Sequence, residues 1–515
     1  MWRNCRWAIV CVCAGVLLPL LGAQSHSGTA APAASAAVIS DAEADQIMQD
    51  ITNGNWEKTQ PAEKKVGNLN SASKAKLAPR LIDAMGIPDS LYPVGSDHPY
   101  RAGYAASRAL ANIGAPVLPA LEKVAQNATG QKQQYAVEAI GNMKPKARSA
   151  IPVLLVLAKT ADKDLRGWVI ESLGKIGPAA PGAPTIAPTL AVLMAALNDN
   201  VDGCEDALGN YGAPAVPGLR KFLQTSSDSQ LRLHAIKALT VMEATAAPAT
   251  PELMAAIKNP AERQDALWAL VKIGPGARQA MPVLKKVVLK DPEYWTAPTS
   301  QSAESRDRGY AMQALINMGV NDTDFLIQAM KGGAPGAIGA LSKLGAAIVP
   351  TMRTMLSDAN LEYRKDALAV LGAMGAPAAP AVPDIVQTMA EKDLRIPAIF
   401  ALEGIGPGAA PAVPALINAL LDEDVRYMSL QALAAIGPGA KDAVPYLIDI
   451  LQGKPRFTSQ PPPPGYQYKY GQDFGERMRS AFNIMNQLGA KDALIKIGTP
   501  EALAAVKEYD ASHKH

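Results

Sequence analysis

The chain has 515 residues, with 50 basic and 47 acidic side chains and a formal net charge of +3. Without a basic stripe, so even a balance argues against a nucleic-acid partner. Alanine is abundant, aromatics are only 5%, and no Asn-Gly turns join alternating apolar runs, which argues against a β fold.

Arg3 and Arg6 precede an apolar stretch from Trp7 to Leu21, and Leu21-Gly22-Ala23 offers small residues for cleavage. The stretch is shorter than the roughly 20 residues of a comfortable membrane span. Residues 1–23 read as a secretory signal peptide, with Gln24 the first mature residue. The expected location is the periplasm or the extracellular, envelope-associated space, with no integral membrane span left after signal removal. Residues 24–40 are Ala, Ser, Pro and Gly in the main and read as a flexible tether. Cys5, Cys11 and Cys13 leave with the signal, so Cys204 remains alone and no internal disulfide is expected.

From residue 41 to 510 a phrase recurs. Gly437–Pro445 (GPGAKDAVP) echoes Gly406–Pro414 (GPGAAPAVP), with weaker copies at Gly375–Pro383, Gly274–Pro282 and Gly212–Pro217. A proline opening an apolar run falls at Pro79, Pro119, Pro152, Pro188, Pro217, Pro251, Pro282, Pro350, Pro383, Pro414 and Pro445. The last three steps are 33, 31 and 31 residues, a period that marks a repeat solenoid. The step of 68 from Pro282 to Pro350 hides a unit whose second helix should start near Asp324. Each unit reads as two helices. Over Val425–Ile436 the apolar residues fall on one face. Gly437 follows as a left-handed terminator and Pro438 cannot continue the helix. After a short turn, Pro445 fits the first turn of the next helix. That second helix, Tyr446–Leu451, is almost wholly apolar and is expected to be the more buried of the pair. The expected fold is all-α: an α-solenoid of about twelve stacked helix hairpins, ending in a short tail at 511–515.

The residues Asp424-Val-Arg426, Ala432-Leu433, Ile436-Gly437, Ala443-Val444-Pro445 and Leu447 resemble the HEAT-like repeat family, in the short variety named for phycobilisome lyases. The resemblance covers Ala75 to Gly453 and implies a stacked-helix fold. It implies no single function, because the family includes scaffolds, adaptors and a few enzymes. The lyases attach a chromophore in a cytoplasmic setting, unlike an exported chain. The iron-dependent hydroxylases built on this repeat need recurring His-Glu motifs, and His26, His98, His234, His513 and His515 form none. No phosphate loop, zinc spacing or nucleophile elbow is present. We therefore expect no catalytic residue, metal or cofactor. His234 reads as a variable surface residue.

Seven arginines share one register in the first helix: Arg166, Arg232, Arg263, Arg308, Arg364, Arg395 and Arg426. Four have an acid two residues earlier, Asp164, Glu362, Asp393 and Asp424. The preferred reading is a structural Asp–Arg ladder tying neighbouring units; the alternative is an anion-binding strip. Cys204 aligns with Val169, Ala235, Ala367, Ala398 and Ser429, a slot for small buried residues.

Three insertions break the period, at 86–103, 290–305 and 453–475, each after a second helix and each rich in aromatics and proline. They hold Tyr92 and Tyr100, then Tyr294 and Trp295, then Tyr466, Tyr468 and Tyr470 behind a four-proline spacer. Insertions at one topological place emerge along one edge, often the binding edge. These tyrosines and Trp295 are the candidate contacts for a protein or peptide partner, together with the concave face; the other reading is that they cover the core. The expected function is a non-catalytic secreted scaffold. The alternatives are an envelope spacer without a specific ligand, and a lyase-type cofactor handler with a pocket under Tyr294 and Trp295.

Overall fold

The computed structural model describes residues 37–53, 55–88, 101–180, 182–295, 300–457 and 472–513. The signal segment and most of the tether lie outside these residues. Every regular element among the described residues is helical, α or 3₁₀. The chain is an all-α solenoid, and it divides into two compact units at Ile113/Gly114.

The first unit holds the helices Asp41–Thr52, Trp56–Asn68, Ser71–Ala84 and Ala102–Ile113. Ser40, Asn55 and Asn70 cap the first three by accepting from the backbone N–H of Glu43, Glu57 and Ser73. Residues 37–40 are not tether. Ile39 is buried, its N–H donates to Ser73 Oγ (3.0 Å), and its carbonyl accepts from Lys76 Nζ (2.8 Å). Pro79 lies inside Ser71–Ala84 rather than in a first turn, so the proline period does not hold in this unit.

The second unit repeats one plan, seen most clearly in the helix Arg426–Ile436, the 3₁₀ segment Gly437–Ala443 and the helix Val444–Leu451. The linking segment is a 3₁₀ helix, where the sequence suggested a short turn. Its cause is visible in the recurring phrase. A 3₁₀ helix has three residues per turn, so residues i and i+3 share a side. Ala409 and Ala412 stand three apart and are both fully buried, as are Ala378 and Ala381; Ala440 and Ala443, and Ala277 and Ala280, are buried alike although their segments kink at Ala440 and Ala277. The second glycine of the phrase admits the neighbouring unit: a Cβ on Gly408 would lie 2.9 Å from Ala379 Cβ.

Pro445 occupies the first turn of its helix, as expected. The relative burial is the reverse of the expectation. Seven of the eleven residues of Arg426–Ile436 are buried, against four of the eight of Val444–Leu451. First helices are flanked by first helices of both neighbouring units, whereas second helices show an outer face. The hidden unit is present, with its second helix at Thr323–Lys331.

Helices begin at Ala102, Gln301 and Gln472, so the last residues of each insertion are helical. The final helix runs to Ser512, and the His513 ring stacks on Tyr509 at 4.1 Å; residues 511–513 therefore continue the fold rather than forming a tail. Lys392–Ala419 is long and apolar enough to cross a membrane by composition, but half of its most apolar 18 residues are buried inside the protein. It is two helices joined by a 3₁₀ turn, broken where Gly406 takes φ +68°.

Candidate partner-binding face

The arginine register has a consistent geometry. Each arginine lies eleven residues before the helix-ending position, and six of the seven reach back to the end of the preceding second helix. Nε of Arg263, Arg364, Arg395 and Arg426 donates to the carbonyls of Ile257, Leu356, Met389 and Leu420 at 2.7–3.0 Å. Arg308 Nε donates to Val288 O, and Arg232 Nη1 to Leu223 O. Carbonyls at a helix C-terminus have no intrahelical donor and carry partial negative charge, which suits a guanidinium. Gln133 and Gln487 hold the same slot and donate to Ala125 O and Leu451 O.

The other end of each guanidinium reaches one repeat forward. Arg166 pairs with Asp199, Arg232 with Glu262, Arg364 with Glu391 and Arg395 with Asp422, at separations of 27–33 residues. The acids two residues earlier are not these partners, because residues i and i+2 on a helix do not face each other. Glu362, for one, pairs with Lys365 at 2.9 Å. Arg263, Arg308 and Arg426 are buried and take backbone carbonyls instead, those of Tyr294, Gly332 and Phe457. Six of the arginines thus fasten the exits of two successive second helices, and Arg166 fastens only the following one. Arg166 departs in one respect: its Nε is buried without a hydrogen-bond partner.

The candidate contacts in the insertions divide. Tyr92, Tyr100, Tyr466, Tyr468 and Tyr470 lie outside the described residues. Tyr294 is 3% exposed. Trp295 is half-buried, donates from Nε1 to Val287 O (3.2 Å) and lies over the Arg263 guanidinium at 4.9 Å. Both cover the core, so neither is a free contact. Phe457 is likewise buried, over Arg426. An open groove of about 660 Å³ runs past this insertion, lined by Lys285, Lys290, Asp322 and Phe325. Neither Tyr294 nor Trp295 lines it, and Lys285 and Lys290 pair with Asp322 and Glu304.

Cys204 is buried, in the same slot as the buried Val169, Ala235, Ala367, Ala398 and Ser429. Burial and the Glu205 charge push its thiol up to about 12. His234 is not a free surface residue; its Nδ1 meets Glu205 of the preceding first helix. Among the described residues no three His, Cys, Asp or Glu side chains gather as a metal site.

A different set of side chains stands free on the first helices. Trp268 and Phe400 lie six residues before Gly274 and Gly406, and Ile396 and Tyr427 lie ten before Gly406 and Gly437; all four are exposed, Phe400 by 53%. Trp268 meets Tyr310 of the next first helix, ring centroids 5.2 Å apart, and Lys272 Nζ sits over the Trp268 ring at 5.6 Å. Met478, Phe482 and Met485 share one face of Gln472–Ile497 and are exposed too. One turn on, a Cβ at Gly489 would touch the Tyr427 ring at 3.5 Å. Nearer the start of the second unit, Trp168 packs edge-on against Tyr135. It lines a cleft of about 450 Å³ with Asp164, Glu171 and Asp202. This face was missed because the aromatics were sought in the insertions. Counting back from each helix-ending glycine would have placed Trp268, Phe400, Ile396 and Tyr427 together.

Residues 118–209 match the family model for HEAT repeats. That segment is built of HEAT repeats. No curated protein sequence matches the chain. Among solved structures, Kap121p bound to Pho4p is similar with a TM-score of 0.45 at 12% identity, over 91% of this chain and 50% of that one. Importin beta gives 0.41 at 14%, over 90% and 62%, and an engineered protein gives 0.21 at 19%, over 89% and 99%. This chain therefore spans about half the length of Kap121p.

Proposed function

We propose that this chain is an exported, non-catalytic HEAT-repeat scaffold that binds a polypeptide along its first-helix face. The observation that carries the reading is the set Trp268, Ile396, Phe400 and Tyr427, all exposed and at two first-helix positions one turn apart, six and ten residues before the helix-ending glycine. Ile396, Phe400 and Tyr427 stand on the adjacent helices Lys392–Ile405 and Arg426–Ile436; grouped exposed apolar side chains mark interaction sites, and aromatics dominate binding hot spots. The carboxylates around Trp168 extend the face towards basic side chains of a partner.

The spacer reading draws support from the covered Tyr294 and Trp295, but a spacer has no use for Phe400 and Tyr427 in solvent. Pull-down from an envelope fraction separates the two. A Phe400→Glu/Tyr427→Ala variant is expected to lose the partner at least tenfold, while Trp295→Ala retains it. If the first-helix variant keeps every partner, the binding reading fails. Export is checked by the N-terminus of the purified protein, expected at Gln24; an intact Met1 would remove it.

A further inference from the structure

Ion pairs bridge successive second helices elsewhere in the second unit. Arg220, three residues after Pro217, meets Glu252, one after Pro251, at 3.0 Å. Arg353 and Asp384, placed alike after Pro350 and Pro383, meet at 2.5 Å. Between the second helices Ile151–Thr160 and Ile186–Asn198 the equivalent residues are Leu155 and Thr189, which cannot form such a pair. An open groove of about 430 Å³ lies there instead. Leu155 and Ala158 wall it on one side, and Pro188, Ala191, Val192 and Ala195 on the other. Ile186–Asn198 carries no charged residue, and Ile151–Thr160 carries one, Lys159.

Lys159 and Arg166 are the only polar residues of the lining, so no carboxylate faces them within it. Lys159 is exposed and has no ion-pair partner among the described residues. Arg166 is the exception in its register. It donates forward to Asp199 at 2.7 Å, but its Nε has no partner, where the other six arginines anchor on a helix-end carbonyl. Asp199 offsets the charge of Arg166, which leaves the groove one uncompensated cation, Lys159. The groove beside the 290–305 insertion differs in this respect, because its Lys285 and Lys290 are paired with Asp322 and Glu304.

We propose that the groove between Ile151–Thr160 and Ile186–Asn198 binds a long-chain monocarboxylate, its head at Lys159 and Arg166 and its alkyl chain between the two helices. The volume lies in the range of small-molecule sites, roughly 300–1,000 Å³. One uncompensated cation matches one carboxylate, and the guanidinium edge beside it supplies charge-assisted donors. The walls select the tail. Mid-helix N–H and C=O groups bond within their own helices, so the amides of an inserted polypeptide end would find no partners there. An alkyl chain has no such groups to satisfy. An inorganic anion would leave the apolar walls in water.

Isothermal titration calorimetry at pH 8 tests this, with dodecanoate below its micellar concentration titrated into the protein purified after expression of the full chain. Saturable binding with Kd of about 1–100 μM is expected. Dodecyltrimethylammonium keeps the tail and reverses the head; butyrate keeps the head and shortens the tail. Each should bind at least tenfold more weakly. Lys159→Glu and Ala191→Phe should each weaken dodecanoate at least tenfold with little change in the thermal melt, since both positions are exposed. Phe400→Glu, on the first-helix face, should bind as wild type does. A wild type that takes up no dodecanoate overturns the proposal. So does binding that survives both Lys159→Glu and Ala191→Phe, dodecyltrimethylammonium binding of equal strength, or tighter binding of a short peptide that ends in leucine.

Discussion

Gly437 and Gly404 are needed for different reasons. Gly437 has φ +67° and ψ −133°, close to the first central position of a type II′ turn rather than the left-handed helical region expected of a terminator. A Cβ there would have room, with Lys496 O the nearest atom at 3.6 Å. Gly437→Ala should therefore cost only the conformational term, about 1–3 kcal/mol. Gly404 sits within a helix, but a Cβ there would lie 2.4 Å from the carbonyl oxygen of Gly372 in the preceding unit. Gly404→Ala must force two helices apart, at a cost of about 1–3 kcal/mol or more. Crystal structures of the variants distinguish the mechanisms: a shifted interhelix spacing is expected for Gly404→Ala, and an undisturbed one for Gly437→Ala. Equal spacing in both would contradict the assignment. Cys204 gives a third test at this scale. With its thiol pushed up to about 12 by burial, it should resist a thiol reagent at pH 8 in the native state and react on unfolding; prompt native labelling would show the slot to be open. Its slot could be read from the sequence, because alignment on the helix-ending glycine sets it beside alanines. The partners of the arginines could not, because they lie a full repeat away and several are backbone carbonyls that no side-chain pattern reveals.

Between helices Trp56–Asn68 and Ala102–Ile113 the decisive contact is Glu63 with Arg108, at 3.1 Å. The carboxyl is almost fully buried and its Oε1 has no hydrogen-bond partner. Burial pushes it up to about 7 from the ordinary 4.5, with Arg108 pulling the other way. Between those two values the native state holds a proton that the unfolded chain has lost. This raised pKa contributes stability that is fully present below about 4.5 and is lost as pH rises through 7. Glu63→Gln should abolish that decline and leave the protein more stable than wild type at pH 8, by on the order of 1–3 kcal/mol. Melts of both proteins at pH 5 and pH 8 check this, and parallel pH dependence would refute it. At this scale the helix pairs were plain in the proline and glycine spacing, down to the helix near Asp324. The 3₁₀ links were less so: their alanines, three apart, look like ordinary helix formers until their burial is known. The interaction face was legible in principle, since Trp268 and Phe400 stand at one register position. A low aromatic count drew attention to the insertions, where Tyr294 and Trp295 close over buried arginines.

A repeat array is held by contacts between neighbours, so its stiffness varies along its length and its weakest joint can be named. Lys331–Gly345 combines three deficits. Its first helix, Ala337–Ser342, has only six residues, against fourteen for Leu361–Met374 in the next unit. The stretch carries five glycines, Gly332, Gly333, Gly336, Gly339 and Gly345. In the arginine slot, eleven residues before Gly345, stands Ala334, which has no side-chain donor and reaches the preceding second helix only through its backbone N–H, to Ala329 O. Local opening should therefore require less free energy here than elsewhere in the second unit. Hydrogen exchange is expected to show amides of 331–345 exchanging faster than those of Leu430–Leu451, and equal protection would contradict the argument. Gly339 offers a way to move the joint. It lies in the helix at ordinary φ, and a Cβ there would meet nothing within 4 Å. Gly339→Ala should stabilise by about 0.4–1 kcal/mol through the unfolded chain and slow exchange across 337–344 while leaving Leu430–Leu451 unchanged. An uncoupled response of this kind is what nearest-neighbour stacking demands; a uniform gain along the whole chain would mean that the second unit unfolds as one cooperative block.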